Sequence, residues 1–280
     1  MMQEVGGQAQ KQISKSSGVT LRAVVLGLLL IPINCYWIMY TEMVWWAQFP
    51  TTMSLFYNVI FCLAVIIPIN LLVRKISPKL AFDQKELLVV YVMLCMASAV
   101  ASHDNLQVLI PMIGHPFWFD TPENEWSDTF WQYIPEWLSI RDKNILTGYY
   151  EGETSFYKMD YIKAWIRPAI PWIGFITVLL SVMIFINVIL RKQWIEREKL
   201  AYPIIQLPLE MTRNYGINFF KSKMFWTAFG IVCVIDIVNG FNYLYPKVPL
   251  IGVRSRDISY LFTEKPWNAI GWTPLSLYPF

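Results

Sequence analysis

Five long apolar segments limit what this chain of 280 residues can fold into. A helix needs about 20 mostly apolar residues to cross the hydrocarbon core of a bilayer. The segments are residues 21–40, 55–73, 87–101, 166–190 and 224–244, and the third can continue beyond His103 through residues 106–113. The pattern predicts an all-α protein, a polytopic transmembrane helix bundle of about five spans.

The composition agrees with a membrane location. Hydrophobic residues make up 55% of the chain and charged residues 15%, whereas soluble domains average about 45–50% and about 25%. The mean hydropathy is +0.39. These values exclude a secreted disulfide scaffold, a disordered chain and a cytosolic enzyme. The net charge of +3 is too small for a protein that binds nucleic acid.

Residues that commonly bind metals or cofactors are scarce and scattered. The four cysteines each lie within an apolar segment, and no CxxC pair is present, so we expect buried free thiols. Histidine occurs only as His103 and His115. No motif of a hydrolase, nucleotide-binding protein or metalloprotease has supporting context. We therefore expect no metal and no cofactor.

Basic residues alternate between neighbouring loops, which predicts the orientation of the spans. Lysine and arginine are enriched on the cytoplasmic side of membrane proteins. They are frequent in the N-terminal tail and in loops 74–86 and 191–223, and sparse in loops 41–54 and 102–165. We therefore expect a multi-pass protein with a cytoplasmic N-terminus.

The same segments divide the chain into regions. Residues 1–20 are a predicted disordered cytoplasmic tail, residues 21–101 carry three spans, and residues 102–165 form an aromatic-rich extracytoplasmic segment. Residues 166–245 carry two spans around a cytoplasmic or re-entrant, proline-containing segment, 193–212. Residues 246–280 return to the outside, and their apolar end favours an N-terminal fragment of a longer protein.

The segment 102–165 is expected to form a small, partly helical cap. Thr121-Pro122-Glu123 is typical of a helix start, with an N-cap, a proline at the first helical position and an acid near the positive helix end. Asp142 is a candidate cap of a second short helix. The aromatic residues between them favour interfacial anchoring, and a substrate-gating lid is the alternative.

Asp236 is the most informative single residue. It lies twelve residues into the fifth apolar segment, about 18 Å along a helix and near mid-membrane. An aspartate there costs about 2.5–3.5 kcal/mol. Asn239 and Tyr243 share its helix face, so this polar stripe should face protein or a water-filled cavity. Asp236 is a candidate proton carrier; the alternative is a structural hydrogen bond, with Gly240 allowing close helix packing.

A second candidate interrupts the third apolar segment, where His103 and Asp104 are followed by Asn105 and Gln107. A broken helix exposes main-chain groups, and transporters use such breaks to bind ions and substrates. The alternative is a helix end that meets water. Two side chains are too few for a metal site.

A third candidate is the segment 194–208, in which dense charges precede an apolar run with two prolines. It is too short to span a bilayer and fits a surface or re-entrant segment, or a cytoplasmic connector. Glu198 and Tyr202 are the residues that we place on a substrate or proton pathway here. The isolated amides Asn34, Asn58 and Asn70 are expected to hydrogen-bond between helices.

Several motifs resemble an uncharacterised family of bacterial polytopic membrane proteins over nearly the whole chain after residue 20. They are Pro50-Thr51-Thr52, Ser102-His103-Asp104, and residues 114–119, 121–126, 148–152 and 198–208. That family is in turn similar to the oligopeptide transporter superfamily through Leu200-Ala201-Tyr202-Pro203. The resemblance implies a proton-coupled secondary transporter of small peptides or metal chelates in the inner (plasma) membrane.

Two functions remain open at this point. In the first, a secondary transporter carries a small molecule of unknown identity along Asp236, Asn239, His103, Asp104, Glu198 and Tyr202. In the second, a membrane-embedded envelope enzyme or accessory subunit acts on lipid or glycan at the outer face, with Asp104, Glu123 or Glu125 as base. Both have the lipid bilayer as a partner, and both leave room for a homo-oligomer.

Overall fold

The computed structural model describes residues 19–46, 49–199, 202–252, 256–269, 271 and 274–275. Most of the predicted tail 1–20 therefore lies outside the described residues. The described chain is helical, apart from one antiparallel pair of two-residue strands, β1 (Arg256–Asp257) and β2 (Pro274–Leu275). It divides into two units, Met1–Gly216 and Ile217–Phe280.

Helices of eight or more residues provide the framework of the described chain. They are α1 (Leu21–Met39), α2 (Tyr57–Ile76), α3 (Gln84–Val100), α4 (Leu106–Trp118), α5 (Lys143–Tyr150), α6 (Met159–Lys192), α7 (Pro203–Thr212) and α8 (Lys223–Leu244). A π-helical turn follows α1 at Tyr40–Val44 and α6 at Gln193–Arg197. Shorter turns are Pro50–Thr52, Trp126–Thr129, Trp131–Tyr133, Arg213–Gly216, Ile217–Phe220, Ser259–Leu261 and Trp267–Ala269.

All five predicted spans are helical in the structure, but four of them are long and apolar enough to cross a membrane. These are Leu21–Val44, Tyr57–Ile76, Met159–Arg197 and Lys223–Leu244. The remaining helix, α3, has 17 residues, so it is only ~26 Å long. It falls short of the roughly 20 residues that a perpendicular span requires.

The core of the first unit is a three-helix arrangement of α1, α2 and α3. Helices α1 and α3 run parallel, because Arg22 contacts Glu86 near their N-termini and Asn34 contacts Ser98 twelve residues later. Gly27 allows this close approach, since a Cβ there would lie 2.6 Å from the sulfur of Met93. Helix α2 runs the opposite way, with its N-terminal Asn58 beside Asn34.

Two ends of this three-helix core can be distinguished by their polar contacts. At the Glu86 end, the α3 N-terminus is closed by a capping box in which Asp83 and Glu86 each accept from the other's main chain. At the Glu42 end, α1 finishes in the π turn and α3 breaks off before α4. Apolar packing of Ala23, Val59, Val90 and Leu94 fills the space between the helices.

The proline-containing segment forms the short helix α7 at the Glu86 end. Pro203 is its first residue, and Pro208, Met211 and Thr212 are buried. The Gln84 side chain at the start of α3 donates to the main-chain oxygen of Leu209 over 3.1 Å. The sequence left a surface, re-entrant or connecting role open; the structure shows a helix packed on the three-helix core.

The segment between α4 and α6, called the cap here, is folded and partly helical. Ile113, Phe117, Ile140 and Leu146 form its apolar core. The Tyr150 hydroxyl donates to the main-chain oxygen of Pro111 over 2.8 Å, which fastens the end of α5 to α4.

One of the two predicted helix starts in this cap is confirmed and one is wrong. Asp142 is the N-cap of α5 and accepts from the Asn144 main chain at 2.9 Å. Thr121-Pro122-Glu123 instead enters a turn, in which Asn124 accepts from Thr121 and donates to Phe119. The left-handed conformation of Glu125, with φ 48°, then separates this turn from the helical turn Trp126–Thr129.

We expect Gly114→Ala to lower the free energy of unfolding by about 1–3 kcal/mol, the usual cost of overpacking a core. A Cβ at Gly114 would clash with the fully buried Leu146 side chain. Gly174 in α6 is the matched control, because a Cβ there meets nothing within 4 Å. Gly174→Ala should be neutral or stabilising, and equal unfolding midpoints of the two variants in detergent would contradict the prediction.

Candidate functional site

The strongest polar site of the first unit is centred on Glu42, in the π turn that follows α1. Its main chain departs from α-helical pairing there, since the Trp45 amide donates to the Tyr40 oxygen five residues earlier. Such π turns are frequent at functional sites. The turn places Glu42 inside the protein, with 0% of the residue exposed.

Three donors hold the Glu42 carboxylate. The main-chain amide and the hydroxyl of Thr51 donate to Oε1 over 2.8 and 2.7 Å. Gln107 Nε2 donates to Oε2 over 2.6 Å, and also to the Ala101 main-chain oxygen over 3.0 Å. None of these described partners is a lysine or an arginine. Glu42 is thus a buried acid held by neutral donors.

These contacts join three separate segments at one point. Thr51 lies in the 3-10 turn Pro50–Thr52, and Gln107 lies in the first turn of α4. The main chain between α3 and α4 is attached as well, because the His103 amide donates to the Thr51 hydroxyl over 3.1 Å. Glu42 is therefore the common acceptor at the break that the sequence predicted.

His103 contributes an imidazole ring to this site. Its ring packs edge-on against Trp46 and Phe49, with centroids 5.6 and 5.4 Å apart. Its Nδ1 atom is buried and has no hydrogen-bond partner. Asp104, the other residue predicted at the break, is exposed. The structure thus assembles Glu42, Thr51, His103 and Gln107, with Asp104 at the surface.

The site can accommodate both protonation states of Glu42. The ionised carboxylate accepts from Thr51 and Gln107, as described. A protonated carboxyl needs an acceptor, and the Oε1 atom of Gln107 is buried without a partner. Rotation of the Gln107 amide by half a turn would present this oxygen to the new hydroxyl group, because the amide oxygen and nitrogen exchange places. The Gln107 side chain therefore has both a donor and an acceptor that the Glu42 carboxyl group can use.

A polar triad of Asn34, Asn58 and Ser98, one residue from each helix of the three-helix core, lies about two helical turns before Glu42. Asn34 Nδ2 donates to Ser98 Oγ over 2.9 Å, and Asn58 Nδ2 donates to Asn34 Oδ1 over 2.8 Å. All three residues are 0% exposed, and Asn58 Oδ1 has no partner. The predicted interhelical bonds of Asn34 and Asn58 are confirmed. For Asn70 the prediction is wrong, because its amide bonds to the Phe82 main chain in a loop.

The structure places Asp236 and Asn239 in the second unit, on α8. Asp236 is exposed within the described residues. Asn239 is engaged in a local contact, because its amide exchanges two hydrogen bonds of 3.0 and 2.8 Å with the Ile251 main chain. Asn242 holds the same returning segment through Val248, over 2.6 Å. Part of the predicted polar stripe therefore fastens the chain after α8.

The remaining predicted residues, Glu198 and Tyr202, lie between α6 and α7. Glu198 is exposed and accepts from the Gln193 side chain over 2.9 Å. Tyr202 immediately precedes α7 and is 37% exposed. Residues 200 and 201, which carry part of the leucine-x-aromatic-proline motif, lie outside the described residues.

Local surroundings shift the pKa values of two side chains in the cap, Tyr150 and Glu123. Burial raises the pKa of Tyr150 to about 12, with a smaller contribution from Tyr149, so its hydroxyl stays protonated and donates to Pro111. Glu123, which the enzyme hypothesis names as a base, is exposed, and a hydrogen bond from Thr121 lowers its pKa. A carboxylate stabilised in this way is a weaker base.

Sequence reasoning missed Glu42, although a signal for it was present. Glu42 follows Asn34 by eight residues, a little more than two turns of helix, so a buried amide precedes it along the same helical run. It was overlooked because it lies past the end of the predicted span, where an acid is ordinarily solvated. Among the described residues, no three histidine, cysteine, aspartate or glutamate side chains are grouped as a metal site.

Comparison with protein families assigns the chain to one family. Residues 13–280 match the model of a family of unknown function, DUF6785. The chain belongs to this family. No curated protein and no solved structure matches it.

Proposed function

We propose that this protein is a proton-coupled secondary transporter of small peptides or metal chelates, embedded in a bacterial inner membrane with its N-terminus in the cytoplasm. The observation that carries the proposal is Glu42, a carboxylate with 0% exposure at the joint of α1, the Pro50–Thr52 turn and the α3–α4 break. Buried acids near a broken helix are typical of proton relays in transporters.

The position of Glu42 along the helix suits a group that protons reach from the outer side of the membrane. It lies 20 residues after Arg22, about 30 Å along a helix, which equals the thickness of the hydrocarbon core. Under the proposed orientation, Glu42 and His103 lie at the outer boundary and the Arg22–Glu86 pair at the inner one. The Asn34–Asn58–Ser98 triad supplies polar atoms between these levels.

Coupling proton movement to substrate transport requires a group that gains and loses a proton. A permanent counter-ion beside the group would oppose its protonation. The described partners of Glu42 are neutral, so the charge of the site changes when the acid is protonated. Rotation of the Gln107 amide breaks its bond to the Ala101 oxygen, which lies at the end of α3. Protonation would therefore alter a contact that holds the break between α3 and α4, and this is the proposed link between proton and substrate.

The alternative, an envelope enzyme or accessory subunit that acts on lipid or glycan, is supported less well. Its candidate bases Asp104, Glu123 and Glu125 are exposed and are distributed over the break and a turn of the cap. A cluster of acids around one water-filled site, which general acid–base chemistry would use, is not formed by these three described residues.

Uptake by reconstituted protein tests the proposal. We expect proteoliposomes to accumulate radiolabelled dialanine or iron(III) citrate when the outside is made more acidic than the lumen, and to stop when a protonophore collapses the gradient. Protein-free liposomes of the same lipid are the control. Accumulation that is equal in the two preparations, or that persists with the protonophore, would contradict proton-coupled transport of these substrate classes.

A further inference from the structure

The first unit contains an apolar groove of about 660 Å³ between α4, α5 and α6. Its walls include Leu109 and Ile113 from α4, together with Trp165, Ala169, Trp172 and Ile176 from α6. On α6 these residues recur at three- and four-residue intervals, so they form one continuous helix face. The opposite face of the same helix is exposed in the described chain, for example at Val178 and Ile189.

The length of the groove matches one leaflet of a bilayer. Its α6 wall runs from Tyr161 to Ile176, which is ~23 Å at 1.5 Å per residue. Half of a bilayer with its headgroups is about 20–22 Å thick. Helix α6 as a whole, with 34 residues, is ~51 Å long, which is enough to reach from one headgroup layer to the other at the tilt of ordinary spans.

One end of the groove is polar, and the rest is not. Thr154 and Tyr161 line this end, and both contact Lys158. The Lys158 ammonium donates to the Thr154 hydroxyl over 3.3 Å and lies 5.9 Å from the centre of the Tyr161 ring. Glu153 and Asp160, which neighbour Thr154 and Tyr161 in sequence, are exposed acids. The polar end therefore offers the Lys158 cation, and two exposed acids adjoin its lining residues in sequence.

We propose that this groove holds a phospholipid with one acyl chain along α6 and its phosphodiester at Lys158. The proposal rests on the membrane embedding proposed above, under which the groove opens to lipid. An acyl chain then fills the apolar groove through dispersion contacts with its walls. The phosphate complements the lysine, and the neighbouring acids favour a headgroup that also carries an ammonium. The structure thus assigns phosphatidylethanolamine, rather than an anionic lipid, to the groove.

Native mass spectrometry of the full chain tests the assignment. The protein is purified in detergent and incubated with equal amounts of palmitoyl-oleoyl phosphatidylethanolamine and the corresponding phosphatidylglycerol. Wild-type protein should keep one bound phosphatidylethanolamine at collision energies that remove all other lipids. Ala169→Trp fills the groove and should weaken retention by about ten-fold or more.

Control variants separate the groove from general lipid binding. Val178→Trp adds the same bulk on the opposite face of α6, where Val178 is 64% exposed, and should leave retention unchanged. Ile162→Trp, also in the groove wall, replaces Ala169→Trp if that variant does not fold. Equal retention by groove-filling and Val178→Trp proteins, or no retained lipid in the wild type, would overturn the proposal.

The headgroup contact has its own pair of variants. Lys158→Gln, at the N-cap of α6, should reduce retention of phosphatidylethanolamine. Lys163→Gln, at an exposed lysine of α6 outside the groove lining, should not. Equal effects of the two substitutions would overturn the phosphate contact. Preferential retention of phosphatidylglycerol by the wild type would overturn the choice of headgroup.

Discussion

Replacing Glu86 with alanine is expected to lower the free energy of unfolding by about 2–4 kcal/mol. The Glu86 side chain is 2% exposed. It accepts from Nε and Nη2 of Arg22 over 2.6 Å each, and from the Thr20 hydroxyl over 2.5 Å. It also accepts from the Asp83 amide over 2.9 Å. Truncation removes all four bonds.

The expected loss of unfolding free energy in Glu86→Ala is smaller than for a fully buried ion pair, because one partner is partly exposed. The Arg22 side chain is 43% exposed, so its guanidinium is partly hydrated again once Glu86 is lost. It also keeps a contact with the Lys79 main-chain oxygen over 3.1 Å. The loss of the α3 capping box, usually worth about 1 kcal/mol, is included in the estimate.

The measurement is chemical denaturation in a mild detergent, followed by circular dichroism. Glu210→Ala is the matched control, because Glu210 pairs with Arg213 over 3.1 Å while both side chains are more than half exposed. That exposed pair should contribute less than about 1 kcal/mol. If the Glu86 and Glu210 variants unfold at the same denaturant concentration, the Arg22–Glu86 pair does not stabilise the joint between α1 and α3.

Glu42→Gln is expected to abolish uptake driven by a pH gradient while leaving exchange of substrate across the membrane at equilibrium. The glutamine keeps the size of the side chain and one oxygen that can accept from Thr51, but it cannot bind or release a proton. Coupling should therefore fail, although the substrate path remains. Uptake and counterflow of the same labelled substrate in one preparation of proteoliposomes provide the two readouts.

Two further variants make this test specific to Glu42. Glu136→Gln removes an exposed acid of the cap, 67% exposed at its side chain, and should leave both readouts unchanged. Asp236→Asn tests the residue that the sequence singled out as a candidate proton carrier. Unchanged gradient-driven uptake in Glu42→Gln would remove Glu42 from the mechanism. If Asp236→Asn loses this uptake at the same time, the coupling role belongs to Asp236.

Much of the fold was predictable because it depends on local patterns. Long apolar runs favour helices at 21–40, 55–73, 166–190 and 224–244, and the structure has helices there. The break at His103 was also predictable, since polar residues interrupt an apolar run. The helix N-cap at Asp142 was predictable as well, because it depends on the chemistry of a single side chain. The false helix start at Thr121 shows the limit of such patterns, because Asn124 competes with the helix by bonding to the Thr121 amide and the Phe119 oxygen.

The candidate site was predictable only in part. His103 was found because its neighbours share the interruption of an apolar segment. Glu42 was not found, because nothing in its own neighbourhood says that Thr51 and Gln107 will meet it. Those contacts connect residues 9 and 65 positions apart. Asp236 stood out in the sequence because of its depth in a helix, yet its described surroundings contain no comparable set of donors.

The amino-acid sequence alone determined that this chain is helical, rich in helices of membrane-spanning length, and interrupted by polar residues at His103, because each of these properties arises from neighbours along the chain. Tertiary structure alone decided that Glu42 is buried, that Asn34, Asn58 and Ser98 meet, and that an apolar groove runs beside α6. These features depend on how separate helices pack, and a side chain's solvation and hydrogen-bond partners are set by that packing rather than by its position in the sequence.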